Sequence, residues 1–302
     1  MREYEFITLD VFTEHRFGGN PLAVFPNADG LSDAEMQAVA AEFNLSETSF
    51  VLPPSDPRHT ARLRIFTPRS EHPFAGHPNV GTGFILAQRQ EIAPNHFIFE
   101  EEAGLVRVQV ERDEAGAVVG ARVEAPRPLS IGAIVSVERV AACVGLRPDE
   151  VSTAAHEPVI ASMGAPIVIA EVADLGALSR ASPSARDFRE TLASLPQLGR
   201  RLTVHLYGKQ GDGSARRRSR VFAPLEGIPE DAATGSANVT LAALLTFLNP
   251  AKNVQHIYDI EQGAEMGRPS RLFARAVKND TGQVTASIGG RCVRVMRGTF
   301  QL

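Results

Sequence analysis

Arg64-Ile65-Phe66-Thr67-Pro68 leads through Glu71-His72-Pro73-Phe74-Ala75 into Gly76-His77-Pro78-Asn79-Val80-Gly81-Thr82-Gly83. A short apolar strand closes on a proline, a tight Pro/Gly turn follows, and small residues open a helix. Pro78 suits the first helical position, where a missing N–H costs nothing and φ is already set. Such a start leaves the Gly76 and His77 N–H groups bare at the positive end of the helix dipole, a place suited to an anion.

The stretch occurs twice. Arg220-Val221-Phe222-Ala223-Pro224 leads through Pro229-Glu230-Asp231-Ala232-Ala233-Thr234 into Gly235-Ser236-Ala237-Asn238-Val239. Arg64 pairs with Arg220, Phe66 with Phe222, Pro68 with Pro224 and Pro73 with Pro229. Gly76, Asn79 and Val80 then pair with Gly235, Asn238 and Val239. The arginines stand 156 positions apart and the glycines 159, about half of the 302-residue chain. Chance could repeat so short a motif, but two blocks matching in one order argue for a duplicated fold.

The length suits two domains. Hydrophobic residues at 43% and charged residues at 22% are those of an ordinary globule. A net charge of −4 gives no reason to expect nucleic acid or an anionic membrane as partner. No apolar run is long enough to span a bilayer, and Met1-Arg2-Glu3-Tyr4-Glu5 lacks the apolar core of a signal peptide. Cys143 and Cys292 make no disulfide framework. A cytoplasmic location is expected.

Along the chain, strands are expected at 4–12 and 22–25, the second after a Gly18-Gly19-Asn20-Pro21 turn. Ser32 with Glu35 forms a capping box for a helix whose Met36, Val39, Ala40 and Phe43 make one apolar stripe. Strands follow at 49–52 and 62–66. A helix runs from Pro78 to about Gln90, and further strands are expected at 97–100, 105–110 and 119–123. Pro126-Arg127-Pro128 reads as a linker, after which the second half begins with a helix capped by Ser136 and stopped by Gly145. Strands near 159, 167–170, 202–206 and 215–222 flank a helix at 185–194. The helix at 237–247 is apolar nearly all round and should be buried on every side. Last strands are expected at 272–277, 284–288 and 293–296.

Glu47, after a helix end and before an apolar strand, is a candidate acid/base; a carboxylate in a partly apolar pocket exchanges protons near neutral pH. On local sequence the plainer alternative is a capping or solvent-facing glutamate. His77 can transfer a proton or hydrogen-bond a substrate, with the helix dipole helping to keep it neutral, or it can simply pack at a turn. Asp231 is either a second polar group of a site or turn chemistry. Ser236 reads as an N-cap that can also bind a substrate oxygen. His72 and His77 lack accompanying zinc spacing. Gly76 to Thr82 has the Walker spacing without its lysine, and no dinucleotide fingerprint is present. Arg216-Arg217-Arg218 with Arg220 reads as a solvated strand or turn face.

These residues resemble the phenazine-biosynthesis isomerase (PhzF-like) family, within the diaminopimelate epimerase-like fold. The carriers are Asp10-Val11-Phe12, Gly19-Asn20-Pro21-Leu22-Ala23-Val24, Asn44-Leu45-Ser46-Glu47-Thr48 and the two repeated stretches, then Glu261-Gln262-Gly263 and Met266-Gly267-Arg268-Pro269-Ser270. The resemblance implies an α/β (α+β) protein of two pseudo-repeated lobes, each a mainly antiparallel sheet round a central helix, with the site in the cleft between them. The lobes are expected at 1–126, joined by a C-terminal strand at about 285–302, and at 127–284. It implies no cofactor and usually a homodimer; no metal site is expected, from the histidine spacing above. It carries catalytic roles onto Glu47, His77 and Asp231, and substrate binding onto Asn20, Gly76, Gly235 and Ser236. The related epimerases place a cysteine at each helix start; here Ala75 and Thr234 precede the glycines, which disfavours two-thiol racemisation. Asn79 stands where Thr is expected, and Ala232 where Pro is usual.

The reading is a cofactor-independent isomerase that moves a proton between carbons of a small carboxylate, such as a cyclic amino acid of the dihydro-hydroxyanthranilate type. The alternatives are an epimerase of an amino or hydroxy acid using carboxylate bases, and a binding protein that kept the site and lost the chemistry.

Overall fold

The computed structural model describes residues 1–90, 94–211 and 215–302. The chain forms two compact units, Met1–Pro126 with Ser287–Leu302, and Arg127–Ala286.

Unit 1 contains β1 (Glu3–Val11), β2 (Asn20–Phe25), α1 (Asp33–Phe43), β3 (Glu47–Leu52), β4 (Ala61–Phe66), β5 (Glu71–His72), α2 (Gly76–Gln88), β6 (His96–Glu101), β7 (Gly104–Arg112) and β8 (Val118–Glu124). In unit 2 follow β9 (Ser130–Ile134), α3 (Val137–Cys143), β10 (Val151–Ser152), β11 (Val159–Ser162), β12 (Pro166–Val172), α4 (Leu175–Arg180), α5 (Ala185–Ala193), β13 (Val204–Lys209), β14 (Arg216–Ala223), β15 (Ile228–Asp231), α6 (Gly235–Leu248), β16 (Val254–Gln262) and β17 (Ser270–Lys278). β18 (Val284–Gln301) starts in unit 2 and returns the chain to unit 1 from Ser287 onward.

The strands of unit 1 close a ring. β1 pairs with β2, β2 with β3, β3 with β4, β4 with β6, β6 with β7, β7 with β8, β8 with β18, and β18 with β1. The β2–β3 and β4–β6 pairs are parallel, each bridged by a helix, and the others are antiparallel. Inside the ring runs α2, with eleven of its residues buried. Gly81 and Gly83 let the wall approach it closely. A Cβ on Gly81 would stand 2.5 Å from Leu22 Cδ2, and one on Gly83 2.6 Å from Val108 Cγ1. A helix interior loses about 1 kcal/mol by carrying Gly rather than Ala; close packing on the ring offsets that cost. Outside the ring, α1 covers an aromatic cluster of Phe25, Phe43, Phe50 and Phe66 with Phe6 and Phe300. Ser32 and Glu35 form the capping box of α1, and Asn44 ends it in the left-handed conformation at φ 49°.

Unit 2 repeats this plan. β12 and β13 are parallel across α4 and α5, as β2 and β3 are across α1. β14 and β16 are parallel across β15 and α6, as β4 and β6 are across β5 and α2. The duplication reaches individual bonds. Arg64 holds Glu71 with Nε and Nη2 at 2.7 and 2.6 Å, and Arg220 holds Glu230 with the same atoms at 2.8 and 2.7 Å. The guanidiniums lie over Phe66 and Phe222, respectively. α6 packs with Val159, Ile167, Ile169 and Tyr207 through Ala237, Leu241 and Leu244. A second core of unit 2, around Phe188, Leu178 and Leu206, is covered by α3, α4 and α5.

Several elements differ from expectation. The second unit opens on β9, whose five residues are all exposed, rather than on the Ser136-capped helix. α4 and β16 were not expected, and the last two expected strands are one, β18. α2 begins at Gly76, so Pro78 is its third residue. Pro is tolerated there because the whole first turn lacks intrahelical acceptors for its N–H groups. α6 is buried on every side except at its end, where Phe247 and Leu248 are exposed. The basic run is not a solvated face. Arg217 and Arg220 are both 6% exposed. Arg220 also donates to the carbonyls of Leu178, Ser179 and Ala181, and Arg217 lies over Tyr258. Arg217 and Arg220 point to opposite faces of β14, so both faces of the strand are covered there; Arg220 finds carboxylate, carbonyl and aromatic partners, while Arg217 Nε has none.

Candidate active site

In unit 1, a left-handed Asn44 ends α1 and leads through Ser46 to Glu47, the first residue of β3, beside β2. Gly19, at φ 62°, makes the turn into β2; a Cβ there would stand 2.3 Å from the Val11 carbonyl oxygen. That turn delivers the buried Asn20, whose Oδ1 accepts from Ser46 Oγ at 3.0 Å. The bond ties the two strand entrances together next to Glu47.

Glu47 reaches the start of α2. His77 Nε2 lies 3.6 Å from Glu47 Oε2, with the His77 side chain 4% and the Glu47 side chain 14% exposed. That separation exceeds a hydrogen bond, and Nε2 has no hydrogen-bond partner. Burial pushes the His77 imidazole down to a pKa of about 3, so the ring is neutral across the physiological range. A neutral ring can donate from one nitrogen and accept at the other. Gly76 and His77 are the first two residues of α2, so their N–H groups have no acceptor within the helix. Ala75, the N-cap, makes no side-chain cap bond. The start thus combines bare amides, a neutral imidazole and a partly exposed carboxylate, a set able to hold an anion and exchange a proton.

In unit 2, α6 starts at Gly235 with Thr234 as N-cap. Ser236 is therefore the second helical residue and not the cap expected from the sequence; its carbonyl accepts from Thr240 Oγ1. Asp231 Oδ2 accepts from Thr234 Oγ1 at 2.5 Å, a turn bond that orients the carboxylate. Gln262 completes this start. Its Nε2 donates to the Asp231 carbonyl and Thr234 Oγ1, and its Oε1 accepts from the Thr234 N–H and Asn238 Nδ2. Sequence reasoning placed no role on Gln262, although it stands in the Glu261-Gln262-Gly263 run; nothing in one linear sequence ties that run to a helix start 28 positions earlier. Asn79 and Asn238 were seen as a repeated pair. Each donates from Nδ2 to the carbonyl four residues back, Ala75 or Thr234, at 3.0 Å.

The structure thus brings Asn20, Glu47, Gly76 and His77 together in unit 1, and Asp231, Gly235 and Ser236 together in unit 2. Among the described residues, no group of three or more His, Cys, Asp or Glu side chains is arranged to hold a metal ion. No helix of the described residues is long and apolar enough to cross a membrane. Both cysteines are buried, and burial pushes the Cys143 thiol up to about 11 and that of Cys292 higher still.

The sequence profile of the phenazine biosynthesis-like proteins (PhzC-PhzF) matches residues 9–298. This chain belongs to that family. An uncharacterised isomerase of Mesorhizobium japonicum is 37% identical to this PhzF-family chain over 302 residues, 99% of each. A trans-2,3-dihydro-3-hydroxyanthranilate isomerase of Pseudomonas chlororaphis is 36% identical over 99% of this chain and 100% of its own. A solved PhzF-family structure from Bacillus anthracis is similar at a TM-score of 0.88 and 26% identity, covering 100% of both chains. A hydroxyproline epimerase of Agrobacterium vitis shares the fold alone, at a TM-score of 0.64 and 13% identity over 100% of this chain and 93% of its own. The fold is therefore the diaminopimelate epimerase-like architecture that the family resemblance implied, and the repeated stretch marks its duplication.

Proposed function

We propose that this PhzF-family protein is a cofactor-independent isomerase that moves a proton between carbons of a small carboxylate. The observation that carries the reading is the approach of Glu47 to His77 at the start of α2. The amides of Gly76 and His77 hold the substrate carboxylate and offset negative charge that develops as a C–H proton leaves. Glu47 takes that proton from one carbon and returns it at another, the double bond shifting between them, so no atom is gained or lost. Neutral His77 orients the substrate or the Glu47 carboxyl by hydrogen bonding. The same reading gives Asn20 a share in setting the Glu47 segment, and Asp231, Gly235 and Ser236 a share in holding substrate.

The names of the curated relatives support proton transfer in a cyclic amino-acid-like carboxylate. Two-thiol epimerisation is not supported, since Ala75 and Thr234 precede the two helix starts and both cysteines lie elsewhere, buried. The test is hydrogen exchange with solvent. Wild type and Glu47→Gln are incubated in heavy water with trans-2,3-dihydro-3-hydroxyanthranilate and a panel of small amino and hydroxy acids. Deuterium entering a carbon-bound position, or movement of a double bond, with wild type alone is the expected result. Equal exchange by Glu47→Gln overturns the assignment. Inversion of one stereocentre without double-bond movement would make the protein an epimerase, and binding without exchange would make it a binding protein.

A further inference from the structure

The two helix starts share their glycine and asparagine, and two of the matched positions at which they differ lie on the strands beside them. β14 and β16 run parallel with Ser219 opposite Gln262. β4 and β6 run parallel with Ala61 opposite Phe99 and Arg62 opposite Glu100, a register that sets Glu101 level with Leu63. Because Arg64 corresponds to Arg220, Leu63 corresponds to Ser219, and Glu101 to Gln262. In unit 2 the pair is polar and complete: Ser219 Oγ donates to Asn238 Oδ1 at 3.1 Å, and Gln262 makes the four bonds described above. In unit 1 a leucine replaces the serine and a glutamate replaces the glutamine.

The exchange leaves acceptors without donors. Asn79 keeps its bond to Ala75, but its buried Oδ1 has no partner. Both Glu101 oxygens are also buried without a partner, and Asn79 lies against that carboxyl. The turn after Glu101 is tied to the approach to α2, since the Ala103 N–H donates to the Pro73 carbonyl at 3.1 Å. Three buried acceptors share only the second N–H of Asn79 Nδ2, an expensive arrangement that one proton on the carboxyl relieves.

We propose that Glu101 is held protonated, its carboxylic O–H donating to Asn79 Oδ1, the acceptor that Ser219 fills at Asn238 in unit 2, and that this bond steadies the first turn of α2 through Asn79. Ionisation removes the donor and leaves a buried negative charge one turn from the Gly76 and His77 amides. The start then loses its hold on a carboxylate, so Glu101 is a positioning residue that makes binding at this start depend on pH. The surroundings agree. Opposite it on β7 is Gly104, with the buried Val106 two residues on, and level with it on β4 is the buried Leu63, while Arg62 on β4 and Arg107 on β7 are exposed. α2 brings Asn79 against it, and Glu100 points away to Ser55, Asp56 and His59. Burial pushes the Glu101 carboxyl up to about 8, and among the described residues no cation acts to lower it.

The binding part of the inference rests on reading the α2 start as the carboxylate site; the proton on Glu101 does not. The experiment therefore has two arms, each with wild type, Glu101→Gln and Glu101→Leu. In the first, protein labelled with carbon-13 at the glutamate carboxyl groups is titrated by NMR. The resonance missing from Glu101→Gln is expected to titrate near pH 8, and titration in the ordinary carboxylate range overturns the proposal. In the second, anthranilate binding is followed by calorimetry from pH 6 to 9.5. Wild type should lose affinity about tenfold between pH 7 and pH 9, as the protonated fraction falls. Glu101→Gln should show no such loss, and Glu101→Leu should bind weakly throughout. Parallel profiles for wild type and Glu101→Gln overturn the pH role, and equal binding by Glu101→Leu and Glu101→Gln overturns the positioning role. If no protein binds anthranilate at any pH, the carboxylate reading of the start fails and the role assigned to Glu101 in binding fails with it, while the first arm still decides the proton.

Discussion

His77 Nε2 stands 3.6 Å from Glu47 Oε2, in contact but beyond a hydrogen bond. With the imidazole neutral, this is no ion pair. The contact leaves the Glu47 carboxylate partly open to solvent while one face of it is dry, the setting in which a carboxylate can both take and return a proton.

Glu47→Gln should lower turnover by about 10²–10⁴-fold, the usual contribution of general acid–base catalysis. The exchange is isosteric and the side chain is not fully buried, so thermal unfolding should stay close to wild type. Steady-state kinetics with a substrate from the heavy-water panel, paired with calorimetric melting, checks both halves.

Acid should unsettle this protein through two histidines. Burial lowers both His77 and His205 to about 3. Between that value and the ordinary 6.5 the unfolded chain binds a proton at each site and the native protein does not, so stability falls as pH drops from about 6.5 toward 3. Denaturant titrations over that window should show a slope containing both protons. In His205→Leu the part of the slope due to His205 should vanish, whatever the absolute stability of the variant.

The alkaline side has the opposite sign at Glu101. Its folded value of about 8 lies above the ordinary 4.5. The native protein therefore keeps a proton that the unfolded chain releases, and stability is lost as pH rises from about 4.5 to about 8, by an amount on the order of a few kcal/mol. Glu101→Gln should flatten that limb, measured by urea unfolding at each pH.

Gly83→Ala should destabilise by about 1–3 kcal/mol, although alanine favours helices. The new Cβ would meet Val108 Cγ1 at 2.6 Å, and valine has little rotameric freedom with which to move aside. Melting curves of this variant against wild type test how tightly the ring encloses α2.

Arg220→Ala should cost more than Arg64→Ala. Arg220 is 7% exposed at its side chain, is bound to Glu230 and donates to three carbonyls. Breaking so buried a pair costs about 3–5 kcal/mol. Arg64 makes the matching pair with Glu71, but its other partner, Asp33, is 84% exposed at its side chain, so part of that interaction is screened. Urea midpoints of the two variants give the comparison directly.

Sequence alone was enough for the features that local chemistry dictates. The capping box at Ser32 and Glu35, the Gly145 stop and the all-round apolar character of α6 each lie within a few residues, and the repeated Arg-x-Phe-x-Pro stretch announced the duplication. β9 escaped because Ser130-Ile131-Gly132-Ala133-Ile134 is exposed and carries no alternation to read. The Arg217 and Arg220 pattern misled because charge suggests solvent until a partner is known, and the partners lie on other strands and helices. Glu101 sits in a run of three acids, Glu100-Glu101-Glu102, that looks uniformly solvated. Only the parallel register of β4 with β6, closed round α2, decides that the middle one turns inward beside Asn79. Propensity, caps and turns act over a few residues and are written in the chain; which buried polar group meets which depends on strand register and ring closure, and these belong to the folded structure.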